Sequence, residues 1–343
     1  MKPRSICITL AFCVPCAIAE AQCVGAEAQL HSASKALAVE DAVKAAQILD
    51  SLEKLYPGCA EISLDRGRIY FLNGDASNAE DMFYRYTELA PDDARGYARL
   101  AQVYLNEQRY PRANEASLKA LDRNPVDSSA LAVRGQIMGM KGDADEGIRM
   151  LEIACRLDPG DAESHYQLGV LYALVKRRGD SAKEFEKAIE LVPDNASAWD
   201  YLSLNLEILG DADRADEAYR KAEVVNHPGR HYDGFLDYNF GRYLTKRNQL
   251  KEAKQHLDRA VEAAPEVRAV WYERAKANMS LRDYPAARAD AEKAGSLQDA
   301  RGVVLDLQVY TLLEEVYRRL GEKELANRYA ELCKQTPGPD PAN

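Results

Sequence analysis

Small residues and large apolar residues recur along this chain at a fixed interval of 34. Counting units from Ala26, the eighth place holds Gly67, Ala101, Gly135, Gly169, Ser203, Gly241 and Ala275. The twentieth holds Ala45, Ala79, Ala113, Gly147, Ser181, Ala215, Ala253, Ala287 and Ala326. Larger groups stand between them, with Tyr70, Tyr104 and Tyr172 at the eleventh place and Phe83, Leu151, Phe185, Tyr219 and Leu257 at the twenty-fourth. Two facing places without bulk let antiparallel helices approach closely, and the larger groups fill the space around the contact. The punctuation agrees. Pro57, Pro91, Pro125, Pro159 and Pro193 close successive units, because proline cannot continue a helix. Gly74-Asp75, Gly142-Asp143, Gly210-Asp211 and Gly321-Glu322 mark a break midway. Each unit is therefore predicted to be a helix–turn–helix hairpin, and the constant period predicts a stack in which each hairpin buries its apolar face on the next.

The frame runs without insertion through units starting near residues 26, 60, 94, 128, 162 and 196. Four extra residues, Arg230 to Asp233, move it to 234 and then 268, and five more near Gly302 to Asp306 move it to 307. That makes nine units within 22–335. In the fifth, the turn signal slides to Gly179-Asp180, which predicts a long first helix and a late second one. Pro111 and Pro285 fall early in second helices, where proline is tolerated. The tail 336–343, with Pro337, Pro339 and Pro341, is expected to be disordered.

His165, Leu168-Gly169, Tyr172, Phe185, Ala188 and Pro193 of the fifth unit, with Trp199, Leu202, Ala215, Tyr219 and Ala222 of the sixth, form a recognisable series. On these residues the chain resembles the tetratricopeptide repeat family over almost all its length beyond residue 21. The resemblance implies an all-α, right-handed superhelical solenoid of about nine helix–turn–helix repeats, with the first helices lining a concave face. It further implies a scaffold that binds a protein or extended peptide there, through the second, fifth, sixth, ninth, twelfth and thirteenth places of those helices. Carried onto this chain, the third unit offers Arg95, Arg99, Gln102 and Asn106, and the fifth offers Glu163, Tyr166 and Gln167. The seventh offers Tyr238, Asn239, Arg242 and Lys246, and the eighth Tyr272, Glu273 and Lys276. The carboxylate clamp of some relatives is incomplete, since Leu30, Ser34 and Asp65 stand where its lysine and asparagines belong.

Charge sharpens this reading. A net charge of −10 argues against a nucleic-acid partner. Against that background Arg68, Arg95 and Arg99 make one candidate basic patch, and Arg242, Lys246 and Lys276 another beside Tyr238 and Tyr272. Tyrosine and arginine are enriched at binding hot spots, and guanidinium groups pair carboxylates through two hydrogen bonds. Tyrosines can also stack on sugar rings, so a carbohydrate-handling scaffold is the alternative, with outer-membrane or pilus assembly a third reading.

Catalytic chemistry finds no footing. There is no glycine-rich phosphate loop, nucleophile elbow or zincin motif. His227 and His231, with Asp233 nearby, are separated by Pro228-Gly229, so one helix face cannot present both. No metal, cofactor or enzymatic activity is expected.

The first 21 residues stand apart. Lys2 and Arg4 precede an apolar stretch from Ile6 to Ile18, and Ala19-Glu20-Ala21 offers small residues for cleavage, the pattern of a secretory signal peptide. The protein is expected to be exported, periplasmic or secreted, and to meet a membrane only through a partner. Cys23, Cys59, Cys155 and Cys333 follow the segment. A helical hairpin brings Cys23 and Cys59 to one end, making them the disulfide candidate for an oxidising compartment. Cys155 and Cys333 are expected to be small buried apolar groups.

Overall fold

The protein is seen in a computed structural model that describes residues 23–38, 41–226, 234–299 and 303–336. The signal segment, His227, His231, the Arg230 to Asp233 insertion and the tail beyond Thr336 lie outside the described residues. All regular structure among the described residues is helical. The helices are α1 (Glu27–Ala38), α2 (Ala42–Leu55), α3 (Ala60–Leu72), α4 (Ala76–Leu89), α5 (Ala94–Asn106), α6 (Tyr110–Arg123), α7 (Ser128–Met140), α8 (Ala144–Leu157) and α9 (Ala162–Leu174). They continue with α10 (Arg178–Leu191), α11 (Ala196–Leu209), α12 (Ala212–Val225), α13 (Gly234–Lys246), α14 (Leu250–Ala263), α15 (Arg268–Ser280), α16 (Tyr284–Ser296), α17 (Asp306–Leu320) and α18 (Lys323–Gln335). The chain divides into two compact units, the first ending at Lys176 and the second starting at Arg177. Each is an all-α stack of antiparallel hairpins in which first helices also touch, as α5 touches α7 and α13 touches α15.

The turns explain why the helices stop where they do. Asp75, Asp143, Asp211 and Asp283 cap second helices by accepting from backbone N–H groups of the first turn. Asp93, Asp127 and Asn195, each two residues after a closing proline, do the same for first helices. These side chains satisfy donors that a helix start leaves orphaned. Just before each second helix from α4 onward one residue takes a left-handed backbone. It is glycine at Gly142 (φ 89°), but Gln108, Lys176, Asn248 and Arg282 adopt the same conformation with φ of 57–64°.

That observation corrects the expectation for the fifth unit. Its first helix ends at Leu174 and its second begins at Arg178, not after Gly179-Asp180. Lys176 supplies the left-handed residue (φ 64°), so no glycine is needed to break the helix. Gly179 and Asp180 lie inside the first turn of α10, where an acidic side chain suits the helix dipole.

The small residues sit where the backbones meet. A Cβ on Gly135 would stand 2.9 Å from the Gly147 carbonyl oxygen, and one on Gly147 would stand 2.7 Å from that of Gly135. One on Gly67 would lie inside the ring of Phe83, 2.4 Å from its nearest carbon. Around these contacts Phe83, Tyr86, Leu151, Tyr219, Phe240 and Leu257 are fully buried. In the second unit Tyr219 stacks on Phe240 with centroids 5.0 Å apart.

Two fastenings close the ends. Cys23 and Cys59 are joined by a disulfide that ties the start of the first hairpin to the start of α3. Arg268, buried at the start of α15, donates to the carbonyls of Leu297 (2.7 Å) and Val304 (3.2 Å) and to Asp306 (2.6 Å). It thereby pins the connection that carries the second insertion. Cys155 is buried as expected, but Cys333 is only half-buried on the last helix. It lies on a partly exposed face of α18, its sulfur 3.7 Å from the Thr311 hydroxyl.

Two consequences can be measured by urea unfolding. Gly135→Ala is expected to cost about 1–3 kcal/mol by overpacking, whereas Gly179→Ala, whose Cβ meets open space, gains roughly 0.5 kcal/mol from helix propensity. Arg282→Gly relieves a left-handed strain of about 1–2 kcal/mol against a smaller loss from the freer unfolded chain. It should therefore stabilise the protein by roughly 0.5 kcal/mol, and Gly142→Ala should destabilise it.

Candidate functional site

First helices bring the candidate residues together differently in the two units. In the first unit, Arg95 at the start of α5 is committed to carboxylates. Its Nη2 lies 2.7 Å from both Asp93 and Glu61, and its guanidinium sits 5.6 Å over the Tyr86 ring. The hydrogen bond to Asp93 leads in holding its pKa above the usual arginine value, against its burial. Arg68 holds Asp65 at 3.0 Å, and the other oxygen of Asp65 accepts from Ser34 at 3.0 Å.

Arg99 differs. Half-buried on α5, it donates to Oε1 of Gln102 at 2.7 Å and reaches no carboxylate among the described residues. Burial, then the like charge of Arg68, pushes its pKa below the usual arginine range. It lines a groove of about 380 Å³ that crosses from α5 over α7 to the start of α9. Gln102, Asn106 and Gln136 supply amides to this groove, Phe71, Leu105, Ala132 and Val133 its apolar surface, and Asp161 and Glu163 its acidic side. Tyr166, half-buried on α9, is not part of the lining.

In the second unit the cations already have their anions. Glu207, whose side chain is 12% exposed, accepts from Arg242 at 2.8 Å and Lys246 at 2.6 Å. Tyr219 donates to the same carboxylate at 3.3 Å. Burial works to lower the pKa of Arg242, but Glu207 and its neighbours leave it raised. Lys276 pairs with the buried Glu273 at 2.8 Å, its ammonium 5.3 Å from the centre of the Tyr272 ring. Asn239 is buried and donates to Asp200 at 2.9 Å. Tyr238 packs against Val261 and Val270, and burial, then Glu273, pushes its hydroxyl up to about 12. Tyr272 is half-buried and likewise raised by burial first. A groove of about 570 Å³ in this unit takes in Lys276, Arg282 and Arg319 but leaves out Tyr238, Asn239, Arg242, Lys246 and Tyr272.

Three features went unread in the sequence. Glu207 stands at the twelfth place of its unit, and its pairing depends on which cations of the next hairpin face it. Phe71 and Leu105 share that place, and Gln136 matches Gln102 at the ninth. Leu72, Met140 and Leu174, 60–62% exposed, repeat at the thirteenth, so a tally of apolar residues there would have found them.

Comparison with known proteins fits this geometry. The tetratricopeptide repeat family model matches residues 32–94, 98–162 and 238–301, and a second model of the same description matches 162–195. The chain belongs to the tetratricopeptide repeat family. It is 19% identical to anaphase-promoting complex subunit 3 of Schizosaccharomyces pombe over 263 residues, 77% of this chain and 38% of that protein. It is 26% identical to Hsp70-Hsp90 organizing protein 2 of Arabidopsis thaliana over 113 residues, 33% of this chain and 20% of that one. The chain thus spans less than half of these relatives. In fold it is similar to the crystal structure of PilW, a widely conserved type IV pilus biogenesis factor. That likeness has a TM-score of 0.52 at 19% identity and covers 61% of this chain and 93% of that one. No described helix is long and apolar enough to cross a membrane.

Glu207 is the test of the second patch. Glu207→Gln leaves Arg242 half-buried without its anion and is expected to cost about 2 kcal/mol. The double variant Glu207→Met with Arg242→Met should recover most of that loss in urea unfolding.

Proposed function

We infer that this protein is a non-catalytic interaction scaffold of the cell envelope, which binds a partner protein or extended peptide along its first helices. The observation that carries the reading is the open groove across α5, α7 and α9, lined by hydrogen-bonding amides over an apolar floor. Its helices are packed before any partner arrives, so little ordering opposes binding. Membership of a repeat family whose relatives include a subunit of the anaphase-promoting complex and an Hsp70-Hsp90 organizing protein supports a role in assembling other proteins. The basic and apolar start of the chain supports export, and the Cys23–Cys59 bridge suits an oxidising compartment. A role in pilus or outer-membrane assembly falls within this reading. The carbohydrate alternative is less favoured, because Tyr238 and Tyr272 are half-buried and pack against the core of their hairpins.

Crosslinking in native envelopes, followed by affinity capture and mapping, tests the reading. Crosslinks to a partner should concentrate on first helices such as α5 and α7, and the mature protein should begin near Gln22 by N-terminal sequencing. Crosslinks confined to second helices, or an intact Met1, would overturn the respective part.

A further inference from the structure

Most half-buried arginines of this protein hold a carboxylate. Arg66 holds Asp50 and Glu53, Arg242 holds Glu207, and Arg274 holds Asp258 and Asp290. Arg99 has one amide oxygen. Arg134 also rests on an amide, that of Asn114 at 3.2 Å, but it does not line the groove. The one carboxylate near Arg68 is already shared between Arg68 and Ser34. Asp127, Asp161 and Asp158 act on the Arg99 guanidinium without touching it, so its charge is offset in part while its N–H groups pair with no carboxylate, at the wall of an open groove.

The α9 side of the groove carries the opposite imbalance. Asp161 accepts from Ser164 and Glu163 from Gln167, and neither pairs with a lysine or arginine among the described residues. Between the two poles lie amides that can both donate to and accept from an extended backbone.

Resting on the scaffold reading, we propose that this groove takes an extended peptide segment of mixed charge. An aspartate or glutamate side chain of the partner sits on Arg99 and Gln102. Apolar side chains cross Phe71, Leu105 and Val133, and a lysine or arginine follows toward Asp161 and Glu163. The order of charges fixes the direction in which the segment lies. An acidic side chain completes the two-donor pairing that Arg99 lacks within its own chain. Because the groove continues past Arg99 to an acidic side, it suits a chain that carries on and not one that ends there.

The test uses the full-length protein and three fluorescein-labelled peptide sets. The first is amidated, with one glutamate, two or three apolar residues and one lysine. The second carries two glutamates or two lysines in place of the mixed pair, and the third has a free C-terminal carboxylate but no acidic side chain. Fluorescence anisotropy should show the mixed-charge set binding more tightly than the like-charge set, with binding weakened at least tenfold by Arg99→Gln. Asp161→Asn with Glu163→Gln should remove the preference for lysine. Equal binding of the mixed-charge and like-charge sets, binding of the free-acid set alone, binding of none, or indifference to Arg99→Gln would overturn the proposal. Thermal unfolding supplies a check that needs no ligand. Arg99→Met should raise the midpoint by about 2 °C by removing a half-buried charge that is compensated only at a distance, and a fall would show that Arg99 serves the fold instead. If crosslinks map to first helices yet no peptide set binds, the scaffold reading stands and the groove chemistry fails.

Discussion

The structure depends on how closely two helix backbones can approach within one hairpin. At Gly135 and Gly147 each α-carbon would, if it carried a methyl group, press on the other's carbonyl oxygen. At Gly67 the space belongs to the Phe83 ring. These contacts set the crossing of the hairpin, and the crossing decides which residues of a first helix are left for solvent. The face available for binding is therefore a by-product of where bulk is absent. A methyl group in the wrong place would move the groove before it touched any residue in it.

Charge is distributed on the same geometric logic. Glu207 and Glu273 are nearly buried, yet each draws cations of the first helices inward. A solvent-exposed ion pair contributes little, but one with a buried member resists separation, because the carboxylate left behind has no water to replace its partner. The basic patch of α13 and α15 is thus an internal brace. Its positive charge is spent within the protein and offers less to an outside anion than the sequence alone suggests. The patch of α3 and α5 is braced as well at Arg68 and Arg95, which leaves Arg99 as the member that no described carboxylate touches.

The fold class and the family were legible because a 34-residue period leaves its mark on every unit. Small residues, aromatic residues and prolines each repeat for a separate physical reason, and the reasons agree. The break in the fifth unit was misread because glycine was taken as necessary for a left-handed turn. Lys176 shows that a long polar side chain pointing to solvent can bear the same backbone. The site was legible only in part. Family positions locate residues on first helices, but they cannot say whether Arg242 faces a partner or Glu207 of the preceding hairpin. That answer lies in contacts some 35 residues apart in sequence, beyond any single unit's pattern.

A repeat stack meets a particular problem of specificity, since every hairpin presents nearly the same backbone. Distinction must come from the few places where neighbouring first helices do not cancel each other's charge and polarity. In the first unit such a place exists between α5 and α9, where cation, amides, apolar floor and carboxylates follow one another across three helices. A groove so graded orients a segment as well as selecting its composition, because a segment laid backwards sets like charge on like at both ends. Repulsion of the wrong orientation then contributes as much to selectivity as attraction of the right one. The charge of Arg99, which touches no described carboxylate, is what gives the filled groove its direction.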